Sequence, residues 1–520
     1  MRIFYRMIAI VLLSAASAFA AGPGEMRGKM REEILIDKVH ANDYSHVGLQ
    51  KDRYDYHEQS GFRLAFDYLR SQGVKTANHT EGRLDGEKLA GHRLLFINLV
   101  SAERPPFLVS EIRAIVAFVR SGGSLFIITD HSNAYFHAYR LAPLLDEFGI
   151  EVPTDTACDV APHTLGSGNG WILIEDFSKH PLTEGLRRIA FQTGGLVDER
   201  FAVARTSPQS WADAWQTTAY AESNAMGFFG NFARDEGERS GPLGVVLAKE
   251  FDQEFGQECG RGRIVIVGDQ NIFSDICIDY ADNYRLWINA IAWLLHEPAK
   301  RESGNTAGQT GGNAGGHADE NTDGNTEDNP VAATFPGLSD PAAYRAFRKP
   351  RILLAEDFGI GAFGTDDRYG CYHLMSLMRR DYSLLADDRY EEPYDLVVLP
   401  NGHLEMNAAI VDLLVGHLRR GKAVLALHTS TQVTTEPKSV LMRVVRKMGV
   451  QTPRFQRIDD IRSVAAIPGA GSIYLFPPEF PLFNNMLPSP STKPDILQAD
   501  RAVVYLRQLA AVLEAESKKP

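Results

Sequence analysis

Residues 113–135 read RAIVAFVRSGGSLFIITDHSNAY, and this stretch decides the fold. It reads as an amphipathic helix, a stop at Gly122-Gly123, an apolar strand from Ser124 to Thr129, and four polar residues, Asp130, His131, Ser132 and Asn133, that open another helix. An unbroken apolar run bounded by glycine and followed by a helix is the pattern of a parallel strand covered on both faces. In an open α/β sheet, residues just past the carboxyl end of such a strand line the crevice where ligands bind. Asp130 to Asn133 are therefore the first site candidates.

The flanking sequence extends the alternation in both directions. Upstream, Glu32–Val39 (EEILIDKV) reads as a strand ending at His40, Asn42, Asp43 and His46. A helix follows from about Tyr56 to Ser71 with Gly73 as its stop, then a short strand near Val74, a strand at Arg93–Leu99 and a helix at Phe107–Arg120. Downstream, Gly262–Val267 (GRIVIV) is a strand closed by Gly268-Asp269, and Asn283–His296 a helix with Leu286, Ile288, Ile291, Trp293 and Leu294 for the core. Repeated strand–helix alternation implies a doubly wound parallel sheet. Between about 158 and 250 the alternation breaks into short β-like runs, WILIEDF at 171–177 and LGVVLAKEF at 243–251, which suggests a β-rich insertion or extension of the sheet.

The second half repeats the order of the first. Arg351–Ala355, Tyr394–Leu399, the helix Ile410–Arg420 with Gly421, Lys422–Leu427, Gly471–Phe476 and a helix at Ala499–Leu513 recur in one sequence. DRYDYH at 52–57 is matched by DDRYGCYH at 366–373. A repeat of this length points to two copies of one fold. The stretch 301–332 is rich in Gly, Asn, Thr, Asp and Glu, which gives a flexible acidic linker. The expected organisation is thus an α/β chain with two doubly wound parallel-sheet, flavodoxin-like domains in tandem, at 30–298 and 350–515, joined by a disordered linker at 301–345.

Residues 1–20 stand apart. Arg2 and Arg6 precede an apolar run from Met7 to Leu13 and an Ala18-Phe19-Ala20 cleavage site, the pattern of a signal peptide removed before Ala21. A periplasmic or secreted protein with no transmembrane segment after cleavage is expected. The 520 residues carry 54 basic and 66 acidic side chains, a net charge of −12 with the basic residues scattered. That field repels polyanions, so no nucleic-acid partner is expected. Cys158, Cys259, Cys277 and Cys371 are far apart and contain no CxxC. The spacing excludes a zinc ribbon and leaves two readings open, a Cys158 bridge to Cys259 or Cys277, or buried free thiols.

The order of elements, with GRIVIVGDQNIF at 262–273 and DNYRLWINAIAWLL at 282–295, resembles the class I glutamine amidotransferase-like (flavodoxin-like) superfamily, and within it the exported bacterial branch related to gliding and intraflagellar-transport domains. The resemblance covers 30–298 well and 350–515 more loosely. True amidotransferases place a nucleophilic Cys on the turn after the central strand. Here that turn holds Asp130-His131-Ser132 in the first copy and His428-Thr429-Ser430 in the second, so thiolate hydrolysis of glutamine is excluded.

Two functional readings remain. One is an exported ligand-binding or accessory protein of the cell envelope or of a secreted-metabolite pathway, taking a small molecule or glycan. The other is a hydrolase of ester, amide or glycoside bonds using the Asp130-His131-Ser132 turn, with or without a metal. Against it, adjacent residues at a helix start are expected to point apart, and Ser132 or Asn133 is more simply a helix N-cap. Asp43, His46, His57, Asp130, His131, His137 and Asp269 fall at strand ends or on the helices leading from them, with His163 in the CDVAPH loop as a further lid residue. His with carboxylate suits zinc, manganese or iron, but no motif names a metal or cofactor. Asp269 also has a structural reading, holding a neighbouring loop by hydrogen bonds. The second copy has Pro477-Pro478 in place of Gly268-Asp269. The first half is therefore expected to carry the ligand, on polar rim groups that can be replaced at little cost in stability.

Overall fold

The computed structural model describes residues 33–41, 61–165, 169–215, 230–251, 262–275, 277–295, 340–354, 382–386, 394–399, 408–427, 439–450, 455–458, 461–467, 469–476 and 507–516, together with Phe335, Leu338 and Met378. Its first half contains strands β1 (Ile34–Asp37), β2 (Thr76–His79), β3 (Leu94–Asn98), β4 (Ser124–Ile128), β5 (Thr156–Cys158), β6 (Trp171–Ile174), β7 (Asp176–Phe177), β8 (Ile189–Gln192), β9 (Ala202–Arg205), β10 (Trp211–Asp213), β11 (Gly244–Glu250) and β12 (Arg263–Val267). Helices α1 (Arg63–Ser71), α2 (Gly86–Ala90), α3 (Val109–Arg120), α4 (His137–Leu145) and α5 (Asn283–Leu294) connect them.

Eight strands form one sheet in the order β2-β1-β3-β4-β12-β11-β9-β7. The first five are mutually parallel, and β11, β9 and β7 continue the sheet antiparallel. The fold is thus mixed α/β, and the sheet is not parallel throughout. Part of the stretch expected as an insertion supplies this antiparallel edge, while β5–β10 and β6–β8 form separate two-stranded ribbons.

Alternation along the central strands explains the apolar runs. In β3 and β4, Phe96, Phe126 and Ile128 face one cluster with α1 and α5, centred on Phe62, Phe66, Phe273 and Trp287. Leu95, Ile97, Leu125 and Ile127 face the other with α3 and α4. Both faces are covered, so every position is apolar. The stop after α3 has a backbone cause: Gly122 sits at φ +97° and its N–H bonds Val119 O, while Gly123 N–H bonds Phe118 O.

The second half holds α6 (Pro341–Phe347), β13 (Arg351–Leu354), β14 (Ser383–Ala386), β15 (Leu396–Leu399), α7 (Ala408–Arg419), β16 (Ala423–Ala426), α8 (Val440–Lys447), β17 (Phe455–Ile458), β18 (Ile461–Ala466) and β19 (Ser472–Leu475). Its sheet runs β14-β13-β15-β16-β19-β18-β17, five parallel strands and then two antiparallel ones.

The end of the stretch expected as linker is packed. Phe335, Leu338 and Tyr344 join the first-half core, and Tyr344 stacks on Tyr284 with ring centroids 4.7 Å apart. Tyr344 also donates to Asp279 at 3.0 Å, and Arg351 Nη2 donates to the Asp279 carbonyl at 3.0 Å. Leu165, Leu173, Cys277 and Tyr280 share one apolar cluster with Leu353, Leu385 and Tyr394. Cys158 and Cys277 are buried thiols not joined to each other, so the Cys158–Cys277 bridge is not formed, and Cys277 Sγ donates to Gln192 Oε1 at 3.0 Å; Cys259 and Cys371 lie outside the described residues. Among the described residues no helix is long and apolar enough to cross a membrane.

Candidate functional site

The carboxyl ends of the parallel strands carry a row of buried polar side chains. Asp37 ends β1, His79 ends β2 and Asn98 ends β3, each with 0% exposure; Asp130 follows β4 and Asp269 follows β12. Two clusters emerge from this row.

The first gathers the turn that the sequence singled out. Asp130 Oδ1 accepts its neighbour His131 N–H at 2.8 Å, and Asp130 Oδ2 lies 4.0 Å from His131 Nε2. Burial raises the Asp130 carboxyl well above the carboxylate range, and the nearby Asp269 charge adds to the shift. Asp269 is pushed up to about 7 by burial, against three backbone N–H groups that favour its charged form. Those donors are Gln192 at 2.6 Å, Asn271 at 2.7 Å and Ile272. Burial holds His131 down to about 3 and His137 to about 4, so both imidazoles are neutral at physiological pH.

Ser132 departs from expectation. Its backbone adopts φ +50°, and this left-handed turn brings His131 Nδ1 to 3.3 Å from Ser132 Oγ instead of pointing the two apart. Ser132 is wholly buried, however, and its hydroxyl shares a 2.9 Å hydrogen bond with Thr156. Asn133 Oδ1 accepts the N–H of Ala138, in the first turn of α4, while the N-cap of that helix is Phe136, so neither Ser132 nor Asn133 caps α4 as expected. His137 Nδ1 donates to Ala134 O at 2.8 Å. Asn133 Nδ2 and His137 Nε2 have no hydrogen-bond partner among the described residues.

The chain itself covers this crevice. From β8 the segment 192–195 crosses the ends of β4 and β12, with Gly195 N–H on Gly268 O at 2.6 Å. A Cβ on Gly195 would lie 2.3 Å from Asp130 O, so only glycine permits the approach. Asp269 and Asp130 thus lie beneath the backbone of 192–195. They are not rim groups, and the expectation that Asp269 is replaceable at little cost fails for that reason.

The second cluster was missed by sequence reasoning. His40 Nδ1 lies 2.8 Å from Asp37 Oδ2, its Nε2 lies 3.6 Å from Glu111 Oε2, and its ring stacks on Phe107 at 4.0 Å. Glu111 also accepts from Leu84 N–H at 3.1 Å and Leu108 N–H at 2.7 Å, the latter closing the start of α3. His79, opposite Asp37 in register, is fully buried, and burial lowers its pKa. The available signal was a charged residue ending an apolar run, as in EEILID, which marks a strand end reaching a polar neighbour.

Among the described residues no group of three His, Cys, Asp or Glu side chains is placed to hold a metal ion. Asp43, His46 and His57 lie outside the described residues, as do His428, Thr429, Ser430 and Pro477-Pro478. His163 is half-buried on another loop, 3.8 Å from Glu175, and its carbonyl accepts from Leu173 N–H.

Residues 99–291 match a protein-family model described as ABC-type uncharacterized transport system. No curated protein matches the chain. Similar solved structures include the N-terminal domain of mmIFT52, at 15% identity and TM-score 0.36 over 50% of this chain and 97% of that one. A ThuA-like protein from Bacteroides uniformis is similar at 15% identity and TM-score 0.30, over 55% of this chain and 98% of the other.

Proposed function

We propose that the chain is an exported, non-amidotransferase accessory protein that binds a small molecule or glycan in service of an envelope transport or secreted-metabolite system. The observation that carries this reading is the covered strand edge. Where an enzyme of this architecture opens its crevice to substrate, segment 192–195 lies across the carboxyl ends of β4 and β12 with its backbone on Gly268 and Asp269. A serine tied to Thr156, an imidazole depressed to about 3 and an Asp130 carboxyl that burial raises well above the usual carboxylate range make a weak nucleophile–base pair. The match of 99–291 to a transport-system family supports the accessory role, and the Arg2–Ala20 leader supports export to the periplasm or beyond. The identical order of five parallel strands in both sheets supports a tandem duplication of a class I amidotransferase-like domain, with a linker in 301–334.

One observation favours the hydrolase alternative: Ser132 sits at φ +50° on the turn after the central strand, with His131 Nδ1 at 3.3 Å. Strained backbone of this kind concentrates at functional sites. The two readings separate in one experiment. Purified protein, assayed for metal content and for turnover on ester, amide and glycoside panels, is expected to show no turnover that His131→Ala removes; turnover lost in that variant would replace the accessory reading with the hydrolase.

A further inference from the structure

The outer side of α4 carries a groove that neither strand-edge cluster uses. Its floor is Ala138, Ala142 and Leu145, and its polar end is Asp146, Glu151 and Arg239; the volume is about 420 Å³. That size falls in the range of small-molecule sites. Beside this groove, next to Ala138 and three residues before Ala142, α4 presents Tyr139, 61% exposed, with its ring 6.0 Å from Trp215. Phe136 packs on the same indole at 6.1 Å and 79°.

The backbone holds this arrangement under strain. Tyr135 and Phe136 are consecutive non-glycine residues at φ +53° and +59°, each in the left-handed region. Such a pair persists only where the surroundings fix it. Phe136 is the N-cap of α4 in this left-handed conformation, and its ring packs on Trp215. The i, i+3, i+7 spacing of Tyr139, Ala142 and Asp146 then runs a ring, a bare floor and a carboxylate along one helix side for about 10 Å.

We infer that this groove binds a neutral saccharide, with the Tyr139–Trp215 rings as the platform for a pyranose face and Asp146, Glu151 and Arg239 as the hydroxyl-binding end. The inference rests on the ligand-binding reading above and assigns its site and ligand class. A sugar ring offers apolar C–H groups on its faces and hydroxyls at its edge, which matches amphipathic aromatic rings at one end and charged hydrogen-bonding groups at the other. Arg239 is fixed by Asp155 at 3.0 Å, so its guanidinium is oriented before a ligand arrives. Asp146 and Glu151 line the groove with Arg239, and Asp155 pairs with that guanidinium at 3.0 Å, so carboxylates outnumber the cation of the lining and disfavour an anionic ligand. A quaternary amine would need its carboxylates beside the rings, and here they lie at the far end of the groove. The small side chains of Ala138 and Ala142 leave the floor open between the two ends.

The test is calorimetric titration of the full chain with cellotriose, maltotriose, mannotriose and chitotriose, with choline and inorganic phosphate as comparison ligands. One or more of the trisaccharides should bind, and Tyr139→Ala and Glu151→Gln should each weaken it at least tenfold. Both residues are exposed, so unchanged urea midpoints will show the variants folded. Trisaccharide binding untouched by either variant would overturn the groove as the site while leaving the ligand-binding reading intact. Choline or phosphate binding in place of sugar, lost in Tyr139→Ala, would overturn the ligand class. Failure of every probe on wild type would overturn the proposal, and the His131-dependent turnover assay would then show independently whether the accessory reading fails with it.

Discussion

At the β1–β2 end of the strand edge, buried charge is handled by side chains that face one another, whereas at the β4–β12 end it is handled by the backbone. His40 stands between Asp37 and Glu111 with both ring nitrogens directed at carboxylates. Asp269, by contrast, is held by three peptide N–H groups, and the adjacent imidazoles are neutral. The first arrangement ties β1 to the start of α3 through Glu111. The second fixes a loop, because the donor at Gln192 opens the segment that crosses the sheet. The same edge thus serves cohesion between elements at one end and closure of a crevice at the other.

The comparison breaks first at His40. His40→Ala leaves Asp37 and Glu111 buried without their shared imidazole, and removing one partner of a buried pair costs about 3–5 kcal/mol. Urea unfolding of the single variants and of His40→Ala with Glu111→Gln should give a coupling energy above about 1 kcal/mol. Additive effects would mean that the 3.6 Å contact contributes nothing and that only Asp37 holds His40. Asp269→Ala comes next. It strands three peptide donors, of which the Gln192 and Asn271 groups lie within 2.7 Å, for a loss of roughly 2–4 kcal/mol. Faster hydrogen exchange at Gln192 should accompany it, since that amide loses its acceptor; unchanged exchange would detach the loop from Asp269.

A smaller effect is the pH dependence, where the two kinds of group at the β4–β12 end oppose each other. Asp269 has a folded pKa of about 7 against an ordinary 3.8, so the native state holds the extra proton between them. Its stabilising contribution is complete below 3.8 and is lost as pH rises toward 7. His131 at about 3 and His137 at about 4 lie below the ordinary 6.5, so their contribution is present above 6.5 and is lost as pH falls through those values. Urea midpoints between pH 4.5 and 7.5 should therefore rise less steeply in His137→Gln than in wild type, and more steeply in Asp269→Asn. A shift of both variants in one direction would contradict the assignment.

Much of the architecture was legible because buried parallel strands leave a local signature. β3, β4, β12, β15 and β16 are all apolar runs, and each begins or ends within a residue or two of its sequence-based limit. The turn at Asp130–Asn133 was legible for the same reason. What was not legible depends on tertiary approach. Nothing local to Gln192-Thr193-Gly194-Gly195 says that its backbone lies on Gly268, although paired glycines do mark close approach. Glu111 reads as an ordinary third helical residue until its carboxylate meets His40. Ser132 reads as a cap because φ +50° is rare for serine, and the rarity hid the contact with His131.

Ser132 gives the smallest expected effect and separates the structural role of the turn from any chemical one. Its side chain supplies one buried hydrogen bond to Thr156, and its backbone pays for a left-handed conformation that glycine adopts freely. Ser132→Ala loses the hydrogen bond and keeps the strain, for about 1 kcal/mol of destabilisation. Ser132→Gly loses the bond but relieves the strain, so its urea midpoint should lie at or above that of Ser132→Ala despite the smaller side chain. If alanine proved the more stable of the two, the φ of this residue would not be a cost borne by the fold. The turn would then need a different cause for placing the hydroxyl 3.3 Å from His131.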